Sequence, residues 1–172
     1  MANLKAIFAR TPNKARDESG QALVEFALVL MFVILPFTFV LVDGAVTLYT
    51  QAALTNAVRE GARAGSIYQA AAAPAGTFDQ QWAAIDAART TYVQQEVQRM
   101  VGPLVAFSDC TMTIAYSPAA PELGNPYREL DALTVSLSCP RQLFFGLIGA
   151  SQITLEAEAT MRLEPGGVAP NP

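Results

Sequence analysis

From Phe26 to Val42 the chain has no charged side chain, and Thr38 is the only clearly polar one. Read as a helix from Ala22 to Val42, this stretch is roughly 20 residues and about 30 Å long, the thickness of a bilayer's hydrocarbon core. A buried helix of a soluble protein is the competing reading, but such helices rarely run this far without a polar face. Pro36 lies inside the span; it removes one helical hydrogen bond and predicts a bend there. A secretory signal peptide fits less well, because the apolar run is long and no Ala-x-Ala-like cleavage site follows promptly.

Charge supports an anchored chain. Residues 1–20 carry Lys5, Arg10, Lys14 and Arg16 against Asp17 and Glu18, whereas the whole chain has a net charge of −4. A basic leader before an apolar span predicts a cytoplasmic N-terminus and an exported remainder. That remainder is acidic and lacks a basic face with interleaved aromatics, so nucleic acid is not an expected partner. A hydrophobic content of 52% and a mean hydropathy of +0.27 suit a single-span protein.

One carboxylate, Glu25, sits in the first turns of the span, five residues after Gly20. A charge at mid-membrane costs about 2.5–3.5 kcal/mol, less near the interface. Two readings stand: Glu25 snorkels to the headgroups or is protonated, or it awaits a cation from another subunit.

The helix is expected to continue beyond the membrane, over residues 43–68, where there is no proline and helix formers are common. Within it Ala53, Ala57, Gly61 and Gly65 recur every four residues, a seam of small side chains that lets another backbone approach closely. The seam either packs on the chain's own domain or meets a helix of another subunit. Arg59, Glu60 and Arg63 read as a solvated or ion-paired face. The Ala- and Pro-containing stretch from Gln69 to Thr77 reads as a linker. A second helix is predicted from Phe78 to Val101, with Phe78, Trp82, Ile85, Tyr92, Val93, Val97, Met100 and Val101 as its core face and Gly102-Pro103 as its stop.

The rest alternates with period two. Cys110 to Tyr116, Leu133 to Cys139 and Ile153 to Leu163 each predict a strand with one buried and one wet face, as in an antiparallel sheet. Ser117 to Arg128 reads as a Pro-rich loop, Gln142 to Gly149 as an apolar patch, and residues 166–172 as a flexible tail. The expected fold is therefore α+β, a long N-terminal helix and a second helix with a sheet of about three strands. The domain limits are 1–20 for the leader, 21–42 for the transmembrane helix, 43–68 for its exported continuation and 78–165 for the extracytoplasmic domain.

Cys110 and Cys139 both fall on the apolar side of their strands. They are either bridged, which in an oxidising compartment closes a loop of about 30 residues, or remain two buried thiols. With two cysteines and no histidine the usual zinc ligand sets and His-dependent nucleophile sets are excluded. No phosphate-cradling glycine loop is present, and Glu156 and Glu158 read as a solvated strand face. No cofactor, no small-molecule substrate and no enzymatic activity are expected.

Gly20-Gln-Ala-Leu-Val-Glu25-Phe26, with a basic leader before it and an apolar helix behind it, resembles the prepilin-peptidase site of type IV pilins and pseudopilins. Glu25-Phe-Ala-Leu-Val-Leu, Tyr49-Thr-Gln-Ala-Ala-Leu-Thr-Asn-Ala-Val-Arg-Glu-Gly-Ala-Arg63 and Ile153-Thr-Leu-Glu-Ala-Glu-Ala-Thr-Met-Arg-Leu-Glu164 resemble the TadE-like proteins of Flp/Tad tight-adherence pilus systems. The likeness is most specific over Ser19 to Gly65. Two positions depart from the family: Met31 stands where proline is common, and Phe26 where tyrosine is common. The resemblance implies a pilin-like fold and cleavage between Gly20 and Gln21. Its implied partners are a prepilin peptidase, other pilin or pseudopilin subunits and an inner-membrane assembly platform. It also implies residence in the inner membrane or in a surface pilus. The alternative is an uncleaved membrane-anchored structural adaptor of the same machinery.

Overall fold

The computed structural model describes residues 14–70, 75–101, 105–144 and 151–165, with residues 14–19 as backbone only. The leader up to residue 13, the middle of the linker, the Gly102-Pro103 stop, most of the apolar patch after Phe144 and the tail lie outside the described residues. The chain forms two compact units that divide between Val42 and Asp43.

In the first unit, helix α1 spans Lys14–Val29 and is followed by a π-helical segment, Leu30–Ile34. Helix α2 then runs over Leu35–Ser66 and carries the chain into the second unit. The helix starts earlier than the apolar pattern suggested, since the last residues of the leader are already helical. The π segment is the local answer to Pro36. A proline ring clashes with the carbonyl four residues back and supplies no N–H. Widening the preceding turn, with the Leu35 N–H donating to the Leu30 carbonyl five residues earlier, relieves that conflict without ending the helix. Thr38 donates its hydroxyl to the Ile34 carbonyl at 2.8 Å and so hides its polarity. The segment from Gly20 holds a window of mean hydropathy 2.5 with none of it buried, and it is long and apolar enough to span a membrane.

The second unit is the α+β fold expected. Helix α3 spans Phe78–Val101. It opens on a reciprocal cap in which Thr77 N–H donates to Gln80 Oε1 and Gln80 N–H to Thr77 Oγ1. Strands β1 (Thr111–Ser117), β2 (Ala132–Gln142) and β3 (Gln152–Arg162) form an antiparallel sheet in the order β1-β2-β3. Burial alternates along each strand, as the period-two pattern requires. The core joins Leu54, Val58 and Ala62 of α2, Val93 and Val97 of α3, and Leu133, Val135, Leu137 and Leu155 of the sheet.

Strands and α2 are tied along their length. Arg141 donates to Thr47 Oγ1 at 2.7 Å, Gln51 Nε2 to the Glu156 carbonyl at 2.6 Å, and Glu164 N–H to the Ser66 carbonyl at 3.0 Å. The last of these satisfies a carbonyl that the end of α2 leaves without a helical partner.

The α3 face differs from the expectation in part. Ile85, Val93, Val97 and Val101 are buried, but Tyr92 and Met100 are each 42% exposed. They lie beside the buried stripe rather than on it, and Tyr92 covers Tyr68 at a ring separation of 5.2 Å.

The small-residue seam packs within the chain. A Cβ on Gly61 would collide with Val97 Cγ2, and one on Gly65 would lie 2.5 Å from Leu133 Cδ2 and 2.6 Å from Val93 Cγ2. Gly44, on the same helix, would meet nothing within 4 Å. Gly65→Ala is therefore expected to destabilise the protein by about 1–3 kcal/mol through overpacking. Gly44→Ala should be neutral or stabilising by about 0.5–1 kcal/mol through helix propensity. Denaturant unfolding of the two variants in detergent checks the contrast.

Candidate functional site

Around Gly20 and Gln21 the backbone is continuous helix, part of α1, and both residues are exposed. Glu25 lies a little over one turn further on and is also exposed, on a surface whose neighbours Leu23, Val24, Phe26 and Leu28 are exposed and apolar. In lipid an acid so placed either reaches the headgroups, is protonated, or meets a cation. The first unit therefore presents Gly20 within continuous helix, Glu25 among exposed apolar neighbours, and no charged side chain from Phe26 to Val42.

In the seam, Ala57, Gly61 and Gly65 are buried and Ala53 is half-buried. At Gly61 and Gly65 the backbone surface is occupied by Val93 and Val97 of α3 and Leu133 of β2. Arg59 and Arg63 are exposed, and Arg63 pairs with Glu60 at 2.9 Å, as a solvated face does.

Cys110 and Cys139 form a disulfide, with an S–S distance of 2.08 Å. The register explains it. Thr111 pairs with Ser138, so the residue before one and the residue after the other face each other across the β1–β2 ladder. Glu156 and Glu158 lie on the wet face of the sheet opposite Ser138 and Ser136. There they border a shallow groove with Thr111 and Thr113. Among the described residues no group of three or more His, Cys, Asp or Glu side chains could hold a metal ion.

Sequence reasoning missed a buried ionic cluster. Arg128, placed in a loop by its Pro-rich surroundings, is 1% exposed and adopts φ 58°. It donates Nε to Asp86 Oδ2 at 2.6 Å, and two further nitrogens to the Pro118 and Ala119 carbonyls at 2.8 and 2.7 Å. Asp131 Oδ2 lies 3.4 Å from Nη1. Its guanidinium stacks over Tyr116 at 4.7 Å and Trp82 at 5.1 Å. Arg89 adds a second pair with Asp86 at 3.2 Å and donates to the Tyr127 carbonyl at 3.0 Å. Burial pushes the Asp86 carboxyl up, against the pull of the Arg128 hydrogen bond and of both guanidinium charges. The cluster clamps the 118–131 loop onto α3 and β1. Its chemistry is structural, since every charged group in it faces another.

A signal for the cluster was present. Trp82, Asp86, Arg89, Val93 and Val97 follow the three- and four-residue spacing of one helix face, so a charged pair stood on the stripe that the apolar residues mark as buried.

The chain thus joins a helix long and apolar enough to span a membrane to a small α+β domain. Its residues 20–63 match the family model described as TadE-like protein, so the resemblance drawn from the sequence holds over that segment. That family implies involvement in Tad pilus assembly. No curated protein and no solved structure matches the chain.

Arg128→Met, which strands Asp86 with half its counter-charge, is expected to cost about 3–5 kcal/mol in unfolding free energy. Adding Asp86→Asn should cost less than the two single changes summed, and a double-mutant cycle reads that coupling. Burial also raises the Tyr116 phenol above its ordinary 10.0. The fold holds its protonated form, so this contribution is whole below about pH 10 and is lost as pH rises through the folded value. Ultraviolet titration should show one of the five tyrosines ionising above its ordinary range, and Tyr116→Phe should abolish that step.

Proposed function

We propose that the chain is a minor pilin or pseudopilin of a Tad-type pilus, anchored in the inner membrane by its apolar helix with the α+β domain exported. The observation that carries this is the placement of Glu25 five residues after Gly20, at the head of an apolar span, inside the TadE-like match.

Cleavage between Gly20 and Gln21 gives Gln21 a free α-amino group, cationic below a pKa of about 7.7–8.0. Within one chain that group sits awkwardly for Glu25, about one turn away on the same helix. Between staggered subunits the acid of one reaches the terminus of the next. In hydrocarbon such a pair offsets two desolvation costs and selects one axial register. The peptidase must first unwind the helical turn at the scissile bond. Glycine at position 20 lowers the cost of that step by about 0.5–1 kcal/mol relative to alanine. Leu23, Val24 and Phe26, exposed around the site, suit a peptidase that works within the membrane.

The intact helix across Gly20 also fits the second reading, an adaptor that keeps its leader and never enters a filament. Sequencing the N-terminus of the protein purified from its membrane separates the two: a start at Gln21 supports processing, and a retained leader supports the adaptor. Glu25→Ala should still insert and be cleaved yet fail to join the assembly in pilus fractions. Normal incorporation of that variant would remove Glu25 from the pairing role.

A further inference from the structure

Apolar surface on the second unit gathers near Asp43, where the chain enters it. Asp43 directly follows Val42 and is the first charged residue after Glu25. It accepts a hydrogen bond from the Phe144 N–H at 3.0 Å, and Arg141 reaches Thr47 one turn further on. Leu143 N–H donates to the Ser151 carbonyl at 3.0 Å, so β2 and β3 close their ladder at this level. Phe144 points out of the closure and is 74% exposed. On α2, Leu48 and Tyr49 are 73% and 63% exposed at nearly the same level. They stand about 8–9 Å beyond Asp43 at 1.5 Å per residue, within the depth of a headgroup layer. The sequence after Phe144, from Phe145 to Ala150, has no charged or hydrogen-bonding side chain.

We infer that the β2–β3 end of the domain, presented by Leu143 and Phe144, is seated in the membrane's interfacial layer as a second contact with lipid. This rests on the membrane reading of the span. The occupant is lipid rather than a second copy because chain continuity fixes the level. Asp43 marks where the apolar run ends, and the Phe144 backbone lies one hydrogen bond away from it. Aromatic rings favour that boundary, where an apolar body and the wet headgroups meet. The sheet's other end lies far from that closure. There Leu130 N–H bonds the Leu163 carbonyl, 11 strand residues and about 35 Å from the β2–β3 closure.

The test uses the full chain in phosphatidylethanolamine–phosphatidylglycerol vesicles whose acyl chains carry bromine near the glycerol or near the chain end. Three variants each add one tryptophan to Trp82: Phe144→Trp, Leu123→Trp at the far end of the sheet, and Phe37→Trp inside the span. Emission is read as the difference from the parent protein. Phe144→Trp should give blue-shifted emission that loses most of its intensity to the shallow bromines and less to the deep ones. Leu123→Trp, at a position 91% exposed, should be unquenched. Phe37→Trp should be quenched by the deep bromines. Water-like, unquenched emission at position 144 with quenching at 37 overturns the inference and leaves the membrane reading standing. Blue-shifted emission at 144 without bromine quenching overturns it in favour of a protein surface. No quenching at 37 removes the membrane reading and the inference together.

Discussion

Everything in the second unit depends on how closely α2 approaches α3 and β2. Gly61 and Gly65 remove the side chains that would hold these backbones apart, and Val93, Val97 and Leu133 fill the space. Van der Waals attraction is steep in distance, so a gap of even 1 Å along this seam would forfeit much of it. With the helices this close, one face of a three-stranded sheet is enough to complete a core, and the other face can remain wet. A domain with so few strands cannot cover both sides of its sheet from its own chain. The alternation of Thr, Ser and Glu with Leu, Val and Ala is the sequence's response to that limit.

On the same face of the sheet, the Arg128 cluster performs a different task. The loop of 14 residues between β1 and β2 leaves both its leucines, Leu123 and Leu130, exposed. It is held instead by a cation that enters between α3 and β1, where Asp86 and two aromatic rings receive it. Removing that charge from water is costly, and the hydrogen bonds to Pro118 and Ala119 offset the cost by using carbonyls that the loop must satisfy anyway. Leu130 sits nearby at φ 69°, a conformation that non-glycine residues rarely adopt, and its N–H is held by the Leu163 carbonyl just past β3.

The sequence was legible where one physical period dominates. Helix α3 follows from its apolar spacing, and the strands from strict alternation with polar residues between. The disulfide was undecided because a one-residue slip of β1 on β2 would have parted the sulfurs, and register is a tertiary property. Illegible by periodicity was anything built from residues far apart in the chain. Arg128 looks like loop polarity until α3 brings Asp86 to it from 42 residues away. Tyr92 and Met100 misled in the opposite sense, because hydrophobicity alone does not distinguish the centre of a stripe from its margin. The π segment had a sequence cause in Pro36, but the strain is relieved in the turn before it and not at the proline itself.

The bond between Cys110 and Cys139 also dates the molecule. Under the proposed topology, ribosomes deliver the domain on the reducing side, where the thiols keep their electrons. Only after translocation does an oxidant lock the start of β1 onto β2. Under that topology a copy that never crosses lacks the covalent clasp between the start of β1 and β2.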